Sequence, residues 1–318
     1  MSRRKLRPVF SRLWLLAPVT ALGMGCSSTW GCDSDGHTSQ STFPIPAMLL
    51  DGGTPTQATA CEELCASYGA KAPCSLSKST EDKPEPDQVS CETLFICEGR
   101  RPEGLCSDGA VAVEVPALGA LFARMAHLEA ASVPAFERLA DELAAHGAPE
   151  RLVRAARRSA KEEVRHARAM EALALRHGAP IPELKVAPFQ ARSLEALALE
   201  NAVEGCVRET FGALLAGWQA RSAEDAQVRE SLAAIAPDEQ RHAELSWAID
   251  AWALEQLSPE ARERVEEARR EAWRELERDA AASLVPDAVA RASGLPSARM
   301  AQRLVRELAF SLMPQAHA

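Results

Sequence analysis

Two hexapeptides of this chain nearly repeat: EEVRHA at 162–167 and DEQRHA at 238–243, 76 positions apart. Each sets a glutamate three residues before a histidine, Glu163 with His166 and Glu239 with His242. On a helix, residues three apart lie within about 60° of one another, so each pair shares a face. The chain has seven histidines, and two of them stand in the same context. That constrains the fold more than any other feature, because it asks for at least two helices whose Glu/His faces meet.

The repeat extends upstream. EAASVPAFERL from Glu129 and EGCVRETFGAL from Glu204 share the Glu, a Phe seven later (Phe136, Phe211) and a Leu ten later (Leu139, Leu214), at an offset of 75. Each half therefore reads as a helix carrying one glutamate, followed 34 or 35 residues later by Glu-x-x-His on the next helix. Four carboxylates and two imidazoles supplied in this way form the ligand set of two-metal carboxylate bundles. Oxygen and imidazole donors suit iron or manganese. The expected ligands are Glu129, Glu163, His166, Glu204, Glu239 and His242. Four buried carboxylates with no cation to neutralise them would be very costly.

The neighbouring residues fit the same chemistry. Glu162 and Asp238 each precede a histidine by four, and a metal-bound His usually gives its other ring N–H to a carboxylate. These acids are placed to accept that bond, including across to the opposite helix, with Arg165 and Arg241 balancing them. Glu200, one turn before Glu204, is read as a solvated or supporting acid, with the alternative that it is a further ligand. Cys206 points away from the site as a core thiol.

From about residue 116 the apolar period is helical, over segments near 117–146, 149–177, 192–221 and 223–257. Gly147 and Gly178 act as stops, and Pro149 sits in a first turn. Rods of about thirty residues are about 45 Å long. Short–long–short connections between four of them predict an all-α four-helix bundle with a central crossover, over 110–257. Pro134 and Pro237 fall inside these helices and predict a kink or bulge at each. A helical extension follows at 258–318, thick with acid–base pairs at i,i+4 and closing on an amphipathic segment.

The N-terminal third differs. Residues 1–25 hold five basic and no acidic residues followed by a short apolar run, the pattern of an export signal. GMGC resembles a lipobox, with Cys26 as the lipidated residue, although Gly23 stands where Leu is usual. Residues 26–60 are rich in Ser, Thr, Gly and Pro and read as a flexible tether. A Cys-rich module spans 61–109; Cys61, Cys65, Cys74, Cys91, Cys97 and Cys106 would form three bridges in an oxidising compartment, by any of fifteen connectivities. Their spacing lacks the paired C-x2-C of zinc sites. Net charge is −9, or −9 − 5 = −14 without the leader, which excludes nucleic-acid or anionic-lipid binding through a general basic surface.

These motifs resemble the ferritin-like superfamily of ferritins, rubrerythrins and soluble di-iron oxygenases. The acid-Glu-x-Arg-His form is most similar to the acyl carrier protein desaturases. A lipoprotein-like start, CEGRRPEGL and this bundle together resemble ferritin-like lipoproteins of myxobacterial type. The resemblance covers about 117–257. It implies an antiparallel bundle, two iron ions (or manganese), and reaction with dioxygen or peroxide fed by an unknown electron donor. It implies an exported, envelope-located, lipid-anchored protein, with a homodimer left open. The alternatives are a non-enzymatic iron-binding or ferroxidase protein and a metal-free interaction module. The chain lacks a rubredoxin-type Cys-x-x-Cys pair, and its one tyrosine, Tyr68, lies in the Cys-rich module.

Overall fold

The computed structural model describes residues 38–44, 61, 64–65, 71–76, 88–94, 100–106, 115–283 and 285–313. The leader, Cys26 and Cys97 lie outside the described residues. Strands β1 (Thr38–Pro44), β2 (Lys71–Leu76) and β3 (Gln88–Leu94) form an antiparallel sheet in the order β1-β3-β2. Part of the stretch whose composition reads as a tether is thus a strand paired along its length with β3. Short polar Ser/Thr/Gln residues permit extended backbone as readily as coil, and a free strand edge decides between them. Two of the three expected bridges are seen: Cys61–Cys74 and Cys65–Cys91 lie at disulfide distance, with Cα atoms 6.0 and 5.6 Å apart.

The rest is helical. Helices α1 (Ala117–Ala145) and α2 (Glu150–Arg176) form a hairpin, turned at Gly147, whose φ of +72° suits glycine. A connection follows, in which β5 (Lys185–Val186) pairs with β4 (Leu105–Cys106). The third rod comprises α3 (Leu194–Glu200), a nine-residue π-helix (Asn201–Glu209) and α4 (Thr210–Ser222). Ser193 caps its start by accepting from the Ala196 N–H at 3.2 Å. Helix α5 (Ala226–Gln256) begins at Asp225, whose Oδ1 accepts from the N–H groups of Gln227 and Val228 at 2.9 and 3.2 Å. These four segments match the expected ones to within three residues at each end.

Three further helices follow among the described residues: α6 (Pro259–Ala282), α7 (Asp287–Ser293) and α8 (Ala298–Leu312). They pack back on the third rod and α5. Trp273, Leu276, Leu304 and Leu308 join Phe211, Leu214, Trp218 and Trp247 in one core. A second core, with Phe136, Leu139, Leu143, Leu152 and Ile249, ties α1, α2 and α5 together. Helix continues across both interior prolines, Pro134 within α1 and Pro237 within α5. The backbone widening lies elsewhere, in the π-helix. Among the described residues no helix is long and apolar enough to cross a membrane.

Candidate metal centre

The faces that the repeat predicts do meet in the core. One group consists of Glu129 of α1, Glu163 and His166 of α2 and Glu239 of α5; a second consists of Glu163, Glu239, His242 and Glu209. In each, one donor atom per residue lies within 4.8 Å of the others. Glu163 and Glu239 belong to both groups, so the two positions share two carboxylates. The imidazole centroids of His166 and His242 are 5.7 Å apart.

The electrostatics of the cluster favour positive charge, and the cluster could hold a metal ion. His166 Nδ1 lies 2.9 Å from Glu239 Oε1, and His242 Nδ1 lies 2.9 Å from Glu163 Oε1. Neither contact has hydrogen-bond geometry. His166 Nδ1, His242 Nδ1, Glu163 Oε2, Glu239 Oε1 and both oxygens of Glu209 are buried with no hydrogen-bond partner among the described residues. Such orphaned, convergent donors normally carry a penalty, and a pair of cations would remove it. Burial, reinforced by Glu163, raises the Glu129 carboxyl well above its ordinary range. Burial and the charge of Glu239 do the same for Glu209. Burial also opposes ionisation of Glu163, but His166 and His242 overcome it and hold that carboxylate at about 2. For both histidines burial opposes the charged form, yet the surrounding carboxylates prevail and raise the pKa.

Behind the donors the acids exchange helices. Glu162 Oε2 accepts from His242 Nε2 at 3.0 Å, across from α2 to α5. Asp238 Oδ2 accepts from His166 Nε2 at 3.2 Å, in the reverse direction. With each Nε2 so occupied, each Nδ1 faces the cluster. Arg241 Nη2 donates to Glu162 at 2.9 Å and also contacts Asp238, and Arg165 Nη2 donates to Asp238 at 2.8 Å. Burial would raise Glu162, but His242 and Arg241 bring it to about 2.

Glu204, expected among the ligands, is in neither group, and Glu209 stands in its place. Glu204 Oε1 is bound by Arg101 Nη2 at 2.8 Å and lies 3.7 Å from Arg208 Nε. Its carboxyl is lowered: burial opposes this, and Arg101 with Arg208 overcomes it. The two glutamates also differ in their distance from the hairpin turn. Glu239 lies 239 − 226 = 13 residues into α5, and Glu209 lies 222 − 209 = 13 residues before the end of α4. Glu204 lies 222 − 204 = 18 before it, five residues further along the third rod. In the first hairpin Glu129 and Glu163 lie 145 − 129 = 16 and 163 − 150 = 13 from the turn. The Phe and Leu marks misled, because Phe136 and Phe211 serve different cores. Glu200 is held by Arg100 at 2.7 Å. The buried Cys206 thiol donates to the Ser246 carbonyl at 3.6 Å.

A cavity of about 40 Å³ opens on the cluster, bounded by Glu129, Glu163, Glu209 and Glu239 and walled by Leu121, Met125, Leu128, Gly212, Ala216, Leu232 and Ile235, with Arg124 also on its lining. Neither histidine lines it. Compared with known proteins, the chain matches no family model, no curated protein and no solved structure.

Proposed function

We propose that this chain is an exported, ferritin-like di-metal protein whose bundle holds two ions, iron in the first instance, and reacts them with a small oxidant such as dioxygen or peroxide. The observation that carries this reading is the pair of four-residue groups sharing Glu163 and Glu239. Two carboxylates common to both groups are what two adjacent cations need, and the orphaned donors supply the fit. Glu129 with His166 would hold one ion, and Glu209 with His242 the other. Two iron ions would supply the electrons that reduce the oxidant.

The chain's own residues do the rest. Glu162 and Asp238 fix which imidazole nitrogen faces inward. The apolar walls of Leu121, Met125, Leu128, Leu232 and Ile235 keep bulk water from the reacting end. The cavity's size favours a reactant of a few atoms, which also suits a second, non-enzymatic reading in which the oxidised product is iron itself. Disulfide-distance cysteines favour an oxidising compartment; export and the Cys26 anchor are proposed from the leader sequence.

The test is elemental analysis of the purified chain after anaerobic iron loading, against Glu163→Ala/Glu239→Ala. About two metal atoms per chain, lost in the double variant, is the expected result. No bound metal in the wild type refutes the reading. Consumption of peroxide or dioxygen beyond the stoichiometry of added iron then separates an enzyme from an iron-oxidising protein.

A further inference from the structure

Arg100 and Arg101 enter the bundle from the segment that follows the Cys-rich sheet. The Arg100 side chain has no exposed surface. Its Nη1 donates to both oxygens of Glu200, at 2.7 and 2.9 Å, and its Nη2 donates to Asn201 Oδ1 at 2.7 Å and Ser246 Oγ at 3.4 Å. Its Nε lies 3.9 Å from Glu209 Oε2. The guanidinium sits 5.5 Å from the centre of the Phe136 ring, which is itself 5.0 Å from the His242 ring. The Arg100 carbonyl accepts from Ser132 Oγ of α1 at 2.8 Å, so the strap is tied on both sides.

The slot it occupies exists because residue 205 is glycine: a Cβ there would come within 2.2 Å of Arg100 Nη2. Glu200 and Asn201 lie where the π-helix starts, and Glu209 lies where it ends. Glu204 and Glu209 are five residues apart, the spacing of an i→i+5 hydrogen bond. A slip of the rod by those five residues would exchange them. Arg101 meanwhile holds Glu204 through Nε and Nη2 at 3.1 and 2.8 Å.

We propose that Arg100 is a positioning residue for the metal centre: by tying the start of the π-helix to its end, it keeps the third rod in the register that presents Glu209, rather than Glu204, to the ions. The inference rests on the metal-centre reading above. A planar fork suits the role, since it reaches Glu200, Asn201 and Ser246 at once while its Nε faces Glu209.

The experiment is a Co(II) titration of the full chain, followed by calorimetry and by the visible d–d spectrum. Wild type, Glu204→Gln, Arg100→Lys and Arg100→Met/Glu200→Gln are compared, the last avoiding a bare buried carboxylate. Wild type and Glu204→Gln are expected to bind two equivalents alike. Arg100→Met/Glu200→Gln is expected to keep its helical circular dichroism, yet bind one equivalent at least tenfold more weakly, with an altered spectrum. Arg100→Lys keeps the charge without the fork, so a smaller loss at the same equivalent is expected even if the double variant fails to fold. Wild-type affinity and spectrum in Arg100→Lys and in any folded double variant overturn the positioning role. A wild type that binds no Co(II) overturns the metal reading and this inference with it, and is recognised before any variant is measured.

Discussion

Removing the Glu162 carboxylate tests the crossed arrangement behind the centre most directly. In Glu162→Ala, His242 loses the acceptor 3.0 Å from its Nε2, and Arg241 loses a partner at 2.9 Å. Loss of such an outer partner typically weakens metal binding by about 10- to 100-fold, or roughly 1.4–2.8 kcal/mol. Glu162 is nearly inaccessible, its side chain 6% exposed against 13% for Asp238, so little water can replace it. Its effect belongs at the upper end of that range, confined to the ion held by His242 and Glu209. Asp238→Ala, acting on His166, belongs at the lower end. The two changes are coupled through Arg241, which touches both acids, so the double variant should depart from additivity. Calorimetric Mn(II) titration against a competing chelator reads all three. If Glu162→Ala and Asp238→Ala each leave both affinities within twofold of wild type, these acids do not orient the ligands.

Metal loading should weaken on acidification. The carboxylates raise both histidines, so the metal-free site keeps its protons at neutral pH, and each ion must displace them. Proton uptake stabilises the metal-free fold below the ordinary histidine pKa, and that contribution is lost only as pH rises through the raised values. Co(II) occupancy at fixed concentration should fall steadily as pH is lowered below the raised histidine values, with proton release on binding detected by an indicator dye. Asp225→Ala removes the α5 cap and its bonds to Gln227, Val228 and Arg176, and should cost about 1–2 kcal/mol in urea denaturation. Arg176 lowers the Asp225 carboxyl; that share of stability is present above its unfolded pKa and lost as pH falls through the folded one. Asp250→Asn leaves buried Arg269 without its charge partner and should cost roughly 3–5 kcal/mol, whereas Asp250→Leu/Arg269→Met should recover most of that loss in the same assay.

Much of this molecule was legible without coordinates. Helix positions followed from the apolar period and from stops such as Gly147, because these are local properties of backbone and side chain. Glu163, His166, Glu239 and His242 were legible for the same reason: a three-residue spacing puts them on one face in any α-helix. Glu129 followed from its place in the repeat. Tertiary structure decided what depends on register. Glu209 could not be read from α-helical spacing, since nine residues of π-helix shift the face that the third rod presents. Arg100 lies 109 residues before Glu209 in the chain (209 − 100), and no local pattern announces that a strap will bury its guanidinium there. The strand at Thr38–Pro44 was hidden likewise, because its partner β3 is distant in sequence. The sequence by itself determined which faces would carry carboxylate and imidazole. Packing between distant segments decided which glutamate completes the cluster, because a helix's rotation and slide are set by what presses on it.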